Sequence, residues 1–245
     1  MTTLFQVSAV MLIATIVRSA FGFGEALIAV PLLSLILPVE VAAPIAVLAS
    51  IIVAGTILFR DWRHIQFKSV SWLLISTLFG IPIGLLILKS MPESMIKGLL
   101  GGLILSYSAY SLWSRKVLAL SDDRYAWLFG LLAGVSGGTY GINGPPLAVY
   151  GAMRGWSPAK FRATLQGYFF PASIVGMLGF GVTGLWTHAM IRLSLGSLPA
   201  IIIGIPVGQY IHERLETRSF ARILNIGLGI IGLVLLLQAI LRFRA

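Results

Sequence analysis

SGGTYGINGPP at Ser136 to Pro146 and SAFGFGEALIAVP at Ser19 to Pro31 break long apolar runs with glycine, proline and polar residues. In hydrocarbon every backbone N–H and C=O must be satisfied internally, so irregular backbone survives at membrane depth only where protein or a water-filled cavity surrounds it. Two such breaks, at matching places in two halves of a chain, are the pattern of a transporter whose site lies near the bilayer midplane. Outward from them, apolar runs cover residues 4–37 and 125–153, both interrupted, and 41–59, 67–88, 94–113, 161–184, 193–211 and 220–241. A span takes about 20 apolar residues. The expected fold is therefore an all-α polytopic membrane protein of about eight transmembrane helices.

Composition agrees: of 245 residues, 58% are hydrophobic and 11% charged, against roughly 45–50% and about 25% in soluble domains. The longest polar connection, 114–124, leaves no room for a soluble catalytic domain. The opening MTTLFQ carries no Lys or Arg and no small-residue cleavage pattern follows, so the first run reads as a retained span and not a signal peptide. The absence of cysteine excludes disulfides, thiolate-bound zinc, iron–sulfur clusters and thiol chemistry. Net charge is +10, yet no Lys/Arg tract of the length that binds nucleic acid or anionic lipid is present. Basic residues gather at span ends. With Arg60, Arg63, Lys68, Arg115, Lys116, Arg124, Arg192, Arg242 and Arg244 on one face, the other holds Lys89, Lys97, Arg154, Lys160, Arg162, Arg214, Arg218 and Arg222. That balance sets no orientation.

The chain repeats itself. GIPIG at Gly80 to Gly84 recurs as GIPVG at Gly204 to Gly208, and in the same register Trp62 meets Trp186 and His64 meets His188. Earlier in the chain, Gly22 pairs with Gly137, Pro31 with Pro146 and Leu32 with Leu147. These matches imply two internal repeats, residues 1–115 and 124–245, joined by a connecting loop at 116–123, with the first span of each broken by Gly and Pro. An even number of spans per repeat gives a parallel repeat, and an odd number inverts one half.

Candidate site residues follow from the breaks. Gly137, Gly138 and Gly144 permit backbone shapes that a side chain forbids, and Pro145 removes a donor from the second break. Freed N–H groups and half-helix N-termini there suit an anion, with Thr139, Tyr140 and Asn143 adding side-chain hydrogen bonds. The bland alternative is close helix packing through small residues. In the first break, beside Gly22 and Gly24, Glu25 is the one acidic residue inside a span, and an intramembrane ionisable group is a functional candidate by default. Arg18 lies seven residues away and would meet it if one helix ran through both glycines. Arg162 and Gln166 share a face of the sixth span, and the planar fork of arginine suits an oxyanion or a carboxylate. Pro44, Ser50, Tyr168, Pro171 and Ser173 could line the cavity or bend helices, with packing the main expectation. Gly80, Pro82 and Gly84, with Gly204, Pro206 and Gly208, are expected to let helices approach. His64, His188 and His212 are expected to be solvated.

The broken, glycine-rich first span of each repeat, the GGTYGINGPP stretch and the repeated GIPxG before an apolar last span resemble the TauE/SafE family of small membrane transporters, the sulfite exporters. The resemblance covers essentially the whole chain. It implies an eight-span, two-repeat protein of the bacterial cytoplasmic (inner) membrane that moves small anions such as sulfite, sulfonates or sulfur-containing carboxylates. The partners would be a small anionic substrate, the lipid bilayer and a coupling ion, H+ or Na+. A homo-oligomer is compatible with this; nucleic acid is not a partner. No cofactor and no metal site is expected. An intramembrane enzyme would need a positioned acid, base or metal at depth, and the residues for it are missing. A channel would need a ring of selectivity groups, and a subunit of a larger assembly is the remaining alternative. No P-loop is present, which leaves ion coupling or facilitated export.

Overall fold

The computed structural model describes residues 2–113, 119–214 and 217–243. Arg115, Lys116 and Arg244 of the charge count, and the first part of the 116–123 connection, lie outside the described residues. The first half folds as α1 (Thr2–Phe21), α2 (Glu25–Ser34), α3 (Val39–Asp61), α4 (Phe67–Ser90) and α5 (Glu93–Trp113), with one 3-10 turn at Trp62–His64. The second half folds as α6 (Ala126–Tyr140), α7 (Gly144–Met153), α8 (Pro158–Val182), α9 (His188–Arg214) and α10 (Thr217–Phe243). No strand occurs among the described residues.

Among the described residues six of these helices, α1, α3, α4, α5, α8 and α9, are long and apolar enough to cross a membrane. The two interrupted runs resolve differently. α6 and α7 have 15 and 10 residues, so neither alone covers a hydrocarbon core of about 30 Å at a rise of about 1.5 Å per residue. α1, with 20 residues, reaches span length before its break, and the ten-residue α2 follows it. The first run is thus a whole helix plus a short one, because its glycines come only after a full span of helix-forming sequence.

Both breaks use the same device. Gly22 adopts φ 83° and Gly141 φ 69°, left-handed values that only glycine takes cheaply. The Gly22 N–H donates to the Arg18 carbonyl at 2.6 Å, and the Gly141 N–H donates to the Gly137 carbonyl at 2.7 Å, which closes each helix with a left-handed cap. Gly141 is therefore the geometric counterpart of Gly22. Gly137, its partner in the sequence register, lies inside α6. Pro31, Pro44, Pro82, Pro171, Pro199 and Pro206 all sit within helices without ending them.

Glycine seams hold the helices together. A Cβ on Gly84 of α4 would lie 2.9 Å from the Cα of Gly138 on α6, and one on Gly80 would lie 2.8 Å from the Cα of Gly134. On the other side, a Cβ on Gly208 of α9 would lie 2.6 Å from the Cβ of Ser19 on α1, and one on Gly204 would lie 3.0 Å from the Cβ of Thr15. These are the backbone approaches that small residues allow in a bilayer, where lipid tails already satisfy apolar side chains. α5 packs on α10, and α3 on α8; α8 also meets α4 and α3 meets α9, while α5 and α10 both meet α2. Phe79, Leu86, Val182, Ile202 and Leu241 are exposed, an apolar exterior that hydrocarbon would cover. His212 is exposed, as expected, and its Nδ1 lies 2.6 Å from the Ala20 carbonyl, because the end of α9 lies beside the end of α1.

Candidate functional site

The two breaks meet. Gly24 to Leu27 from the first and Gly141 to Gly144 from the second line one cavity with Arg18, Ser50 and Phe169. It encloses about 20 Å³, room for about one water molecule.

Arg18 is the centre of the arrangement. Placed four residues before the Gly22 turn, it is almost fully buried, and three other helices answer its guanidinium. Its Nη1 donates to Glu25 Oε2 of α2 at 3.1 Å and to Ser50 Oγ of α3 at 2.7 Å, and its Nη2 donates to Gln166 Oε1 of α8 at 3.1 Å. The Phe169 ring lies 4.9 Å from the guanidinium carbon, within cation–π reach. Its Nε has no hydrogen-bond partner, which leaves one donor of a buried cation unused.

Glu25 is fully buried and also accepts from Thr15 Oγ1 at 3.2 Å. The pairing with Arg18 was expected only if one helix continued through the glycines. It forms because the helix stops: the turn at Gly22 and Gly24 brings the first residue of α2 back beside Thr15 and Arg18. A buried ion pair is costly unless its remaining atoms are hydrogen-bonded, and Thr15, Ser50 and Gln166 supply those bonds. The N-cap residues of α2 and α7, Gly24 and Asn143, both line the cavity and neither makes a side-chain cap bond. Two helix N-termini, with their partial positive charge, therefore converge on it. Because Pro145 and Pro146 have no N–H, Asn143 and Gly144 carry the amides that the start of α7 presents.

The remaining predicted residues surround this point without lining it. Gln166 is fully buried, binds Arg18 and donates through Nε2 to the Gly22 carbonyl, so it ties the arginine to the break. Arg162, one turn earlier on α8, sits with its Cγ beside Gly22 and outside the cavity wall. The spacing that puts Arg162 and Gln166 on one face thus delivers only Gln166 to the arginine at the centre. Gly137 makes room for Asn143, since a Cβ there would lie 2.7 Å from both Asn143 amide atoms. Gly138 faces α4, Thr139 Oγ1 donates to the Gly84 carbonyl at 3.0 Å, and Tyr140 donates its hydroxyl to the Ile96 carbonyl at 3.1 Å. Pro145 is buried in the first turn of α7. Ser50, for which packing was the main expectation and cavity lining the alternative, lines the cavity and accepts from both Arg18 and Ser173. Phe169 carried no sequence signal of its own beyond standing three residues after Gln166, within one helical turn.

A second polar cluster secures the far end of α7. Asp123 Oδ1, from the connection before α6, accepts from Tyr150 at 2.6 Å and Ser69 at 2.8 Å and pairs with Arg154 Nε at 3.2 Å. Arg154 Nη1 in turn donates to the Leu120 carbonyl at 2.9 Å. Partial burial pushes the Asp123 carboxyl up, but the bonds from Tyr150 and Ser69 and the charges of Arg154 and Lys68 outweigh it and leave the group below the usual carboxylate range. Among the described residues no group of three His, Asp or Glu side chains is placed to hold a metal.

Comparison with known proteins gives two matches. The family described as "Sulfite exporter TauE/SafE" matches residues 7–235. A Cupriavidus necator protein described as "Probable sulfite/organosulfonate exporter TauE" is 25% identical over 233 residues, which cover 92% of this chain and 91% of that one. No solved structure matches.

Proposed function

The chain belongs to the TauE/SafE family of sulfite exporters, and from that membership and the cavity at Arg18 we propose that it exports a small sulfur oxyanion or sulfonate by secondary transport. It is a multi-pass membrane transporter and not an enzyme. Sulfite and organosulfonates, the substrates in the relative's description, head the candidate class, with sulfur-containing carboxylates beside them. A bacterial inner membrane is the setting this reading gives it.

The observation that carries the site is the meeting of both breaks at one buried arginine. Arginine presents planar donors suited to oxyanions; two helix N-termini add partial positive charge; Ser50 and Asn143 offer neutral hydrogen bonds. Arg18, Gly24, Glu25, Asn143 and Gly144 would form the wall touched by the anion. Gln166 and Gly22 would hold Arg18 in place, and Gly137, Gly138, Thr139, Tyr140 and Pro145 would fix the second break. Arg162 stands behind the first break as a support.

Two structural repeats of four spans fit the same evidence. On this reading α1 to α5 correspond to α6 to α10, with α1 plus α2 and α6 plus α7 each counted as one interrupted unit. Exchanging the halves turns the α4–α6 seam into the α9–α1 seam and leaves the α5–α10 and α3–α8 contacts unchanged, as a two-fold relation requires.

The test is flux of sulfite and short-chain sulfonates in proteoliposomes of the purified protein. Saturable flux is expected, with loss of at least a hundredfold in Arg18→Gln, the size of about 3 kcal/mol for a charged hydrogen-bonding group. Full activity of Arg18→Gln would move the site elsewhere. No flux of any anion by folded wild-type protein would reject the transport reading.

A further inference from the structure

Among the described residues Glu25 is the one carboxylate against Arg18, and it occupies the place where an incoming anion would have to pair. Among the described residues its charged partner is Arg18 alone. The other groups at the pair are neutral: Thr15 from α1, Ser50 from α3, Gln166 from α8 and Asn143 in the cavity wall from α7. α5 and α10 also pack on α2. From α5, Lys97 is already paired with Glu93 at 2.9 Å, and α10 carries no ionisable residue between 226 and 241.

The ionisable groups that line the cavity are therefore balanced, one cation and one carboxylate, with Arg162 beside Gly22 and His212 beside Ala20 outside its wall. Adding a monovalent anion would leave a net negative charge inside protein at membrane depth, and an unbalanced charge there is expensive. Adding a dianion would be worse. One proton on Glu25 removes the difficulty: the neutral acid releases the Nη1 donor of Arg18, keeps Thr15 as a hydrogen-bond partner, and leaves Arg18 to pair with the newcomer.

We infer that the substrate loads as a monovalent anion together with one proton taken up by Glu25, so that the protein crosses between its open states without net charge, loaded or empty. This rests on the reading of the Arg18 cavity as the anion site. The balance is complete at each step. On the loading side water supplies a proton to the Glu25 carboxylate while the anion pairs with Arg18; on release the anion leaves, Glu25 returns the proton to water and re-forms its pair with Arg18. One anion and one proton move in the same direction per cycle. A fixed dianion such as sulfate is rejected because the single proton site cannot neutralise it, and sulfite is carried in its hydrogensulfite form.

The experiment uses proteoliposomes with an internal pH dye and the membrane potential clamped by potassium and valinomycin. The probes are methanesulfonate, monovalent at every working pH, together with sulfite and sulfate. One proton should accompany each methanesulfonate, the rate should not respond to the clamped potential, and sulfate should not move. Apparent affinity should fall about tenfold per pH unit once Glu25 is ionised, the slope of one linked proton. Glu25→Gln mimics the protonated acid: the anion-for-anion exchange that this variant supports should lack that pH slope, and net efflux should slow at least tenfold because the unloaded carrier is now cationic. Potential-driven methanesulfonate flux, sulfate transport at a similar rate, or an unchanged pH slope in Glu25→Gln would each overturn the inference and leave the anion-carrier reading standing. Should Glu25→Gln not fold, the wild-type proton count and potential dependence decide alone. No flux of any probe by folded wild-type protein would instead remove the reading on which it rests.

Discussion

Gly84→Ala tests whether the α4–α6 seam positions the second break. A methyl group at residue 84 would stand 2.7 Å from the Thr139 amide nitrogen and 2.9 Å from the Gly138 Cα. Ordinary van der Waals contact is about 3.5–4 Å, and both neighbours are backbone, so α4 and α6 must separate by about 1 Å. Overpacking of this kind costs about 1–3 kcal/mol, and stretching the Thr139 bond to the Gly84 carbonyl removes roughly 0.6 kcal/mol more. Against this, alanine in a helix gains about 1 kcal/mol over glycine. The net loss is about 1–3 kcal/mol. Gly102→Ala is the control, since nothing lies within 4 Å of a Cβ there and only the gain remains. Equilibrium unfolding of the purified protein in detergent should therefore separate the two variants by about 2–4 kcal/mol. Because α6 ends at Gly141 in the cavity wall, anion flux should fall in Gly84→Ala and not in Gly102→Ala. Equal stability and equal flux in the two variants would refute both the seam and its link to the site.

Two further outcomes are expected. Asp123→Asn should destabilise the protein by about 2 kcal/mol, the size of hydrogen bonds to a charged group. Because the folded carboxyl sits below its unfolded value, its contribution is present above the ordinary Asp range and lost as pH falls through the folded value; the wild type should show this acid-side loss in pH-dependent unfolding and the variant should not. Phe169→Ala should shift selectivity towards longer organosulfonates in competition flux assays by removing the ring over Arg18, with a loss of about 1 kcal/mol in affinity for the small anions; an unchanged selectivity series would show that the ring does not shape the site.

How much of the fold the residues announced depends on the kind of signal. Helical character and membrane class follow from apolar length, which is local, and both are plain in the runs. The breaks were legible because glycine and proline within hydrocarbon-length runs are expensive unless used. Their placement was less so: the register that pairs Gly22 with Gly137 aligns side-chain identities, whereas the left-handed caps at Gly22 and Gly141 depend on where each helix runs out of partners. The separation of the first run into a full helix and a short one was hidden for the same reason, since Gly22 could interrupt a span or follow one with the same letters.

The site divides along similar lines. Arg18, Glu25 and Asn143 stood out as polar groups in apolar surroundings, and all three reach the cavity. Ser50 stood out less and Phe169 not at all, because a serine or a phenylalanine in an apolar helix costs little. What distinguishes them is distance along the chain: Arg18 reaches Ser50 across 32 positions and Gln166 across 148, and local pattern holds no record of such meetings. The same limit explains Arg162, whose helical spacing to Gln166 was correct while the direction of the shared face was unknown. A glycine-rich polar segment reads alike whether it opens a cavity or seats a neighbouring helix, and SGGTYGINGPP does both. Gly137 seats Asn143, Gly138 and Thr139 serve the packing of α6 against α4, Tyr140 reaches α5, and residues 141 to 144 line the cavity. The left-handed turn at Gly141 divides those two uses of one backbone, so a local pattern that marks the stretch as polar does not say which side of the turn packs and which side lines the cavity.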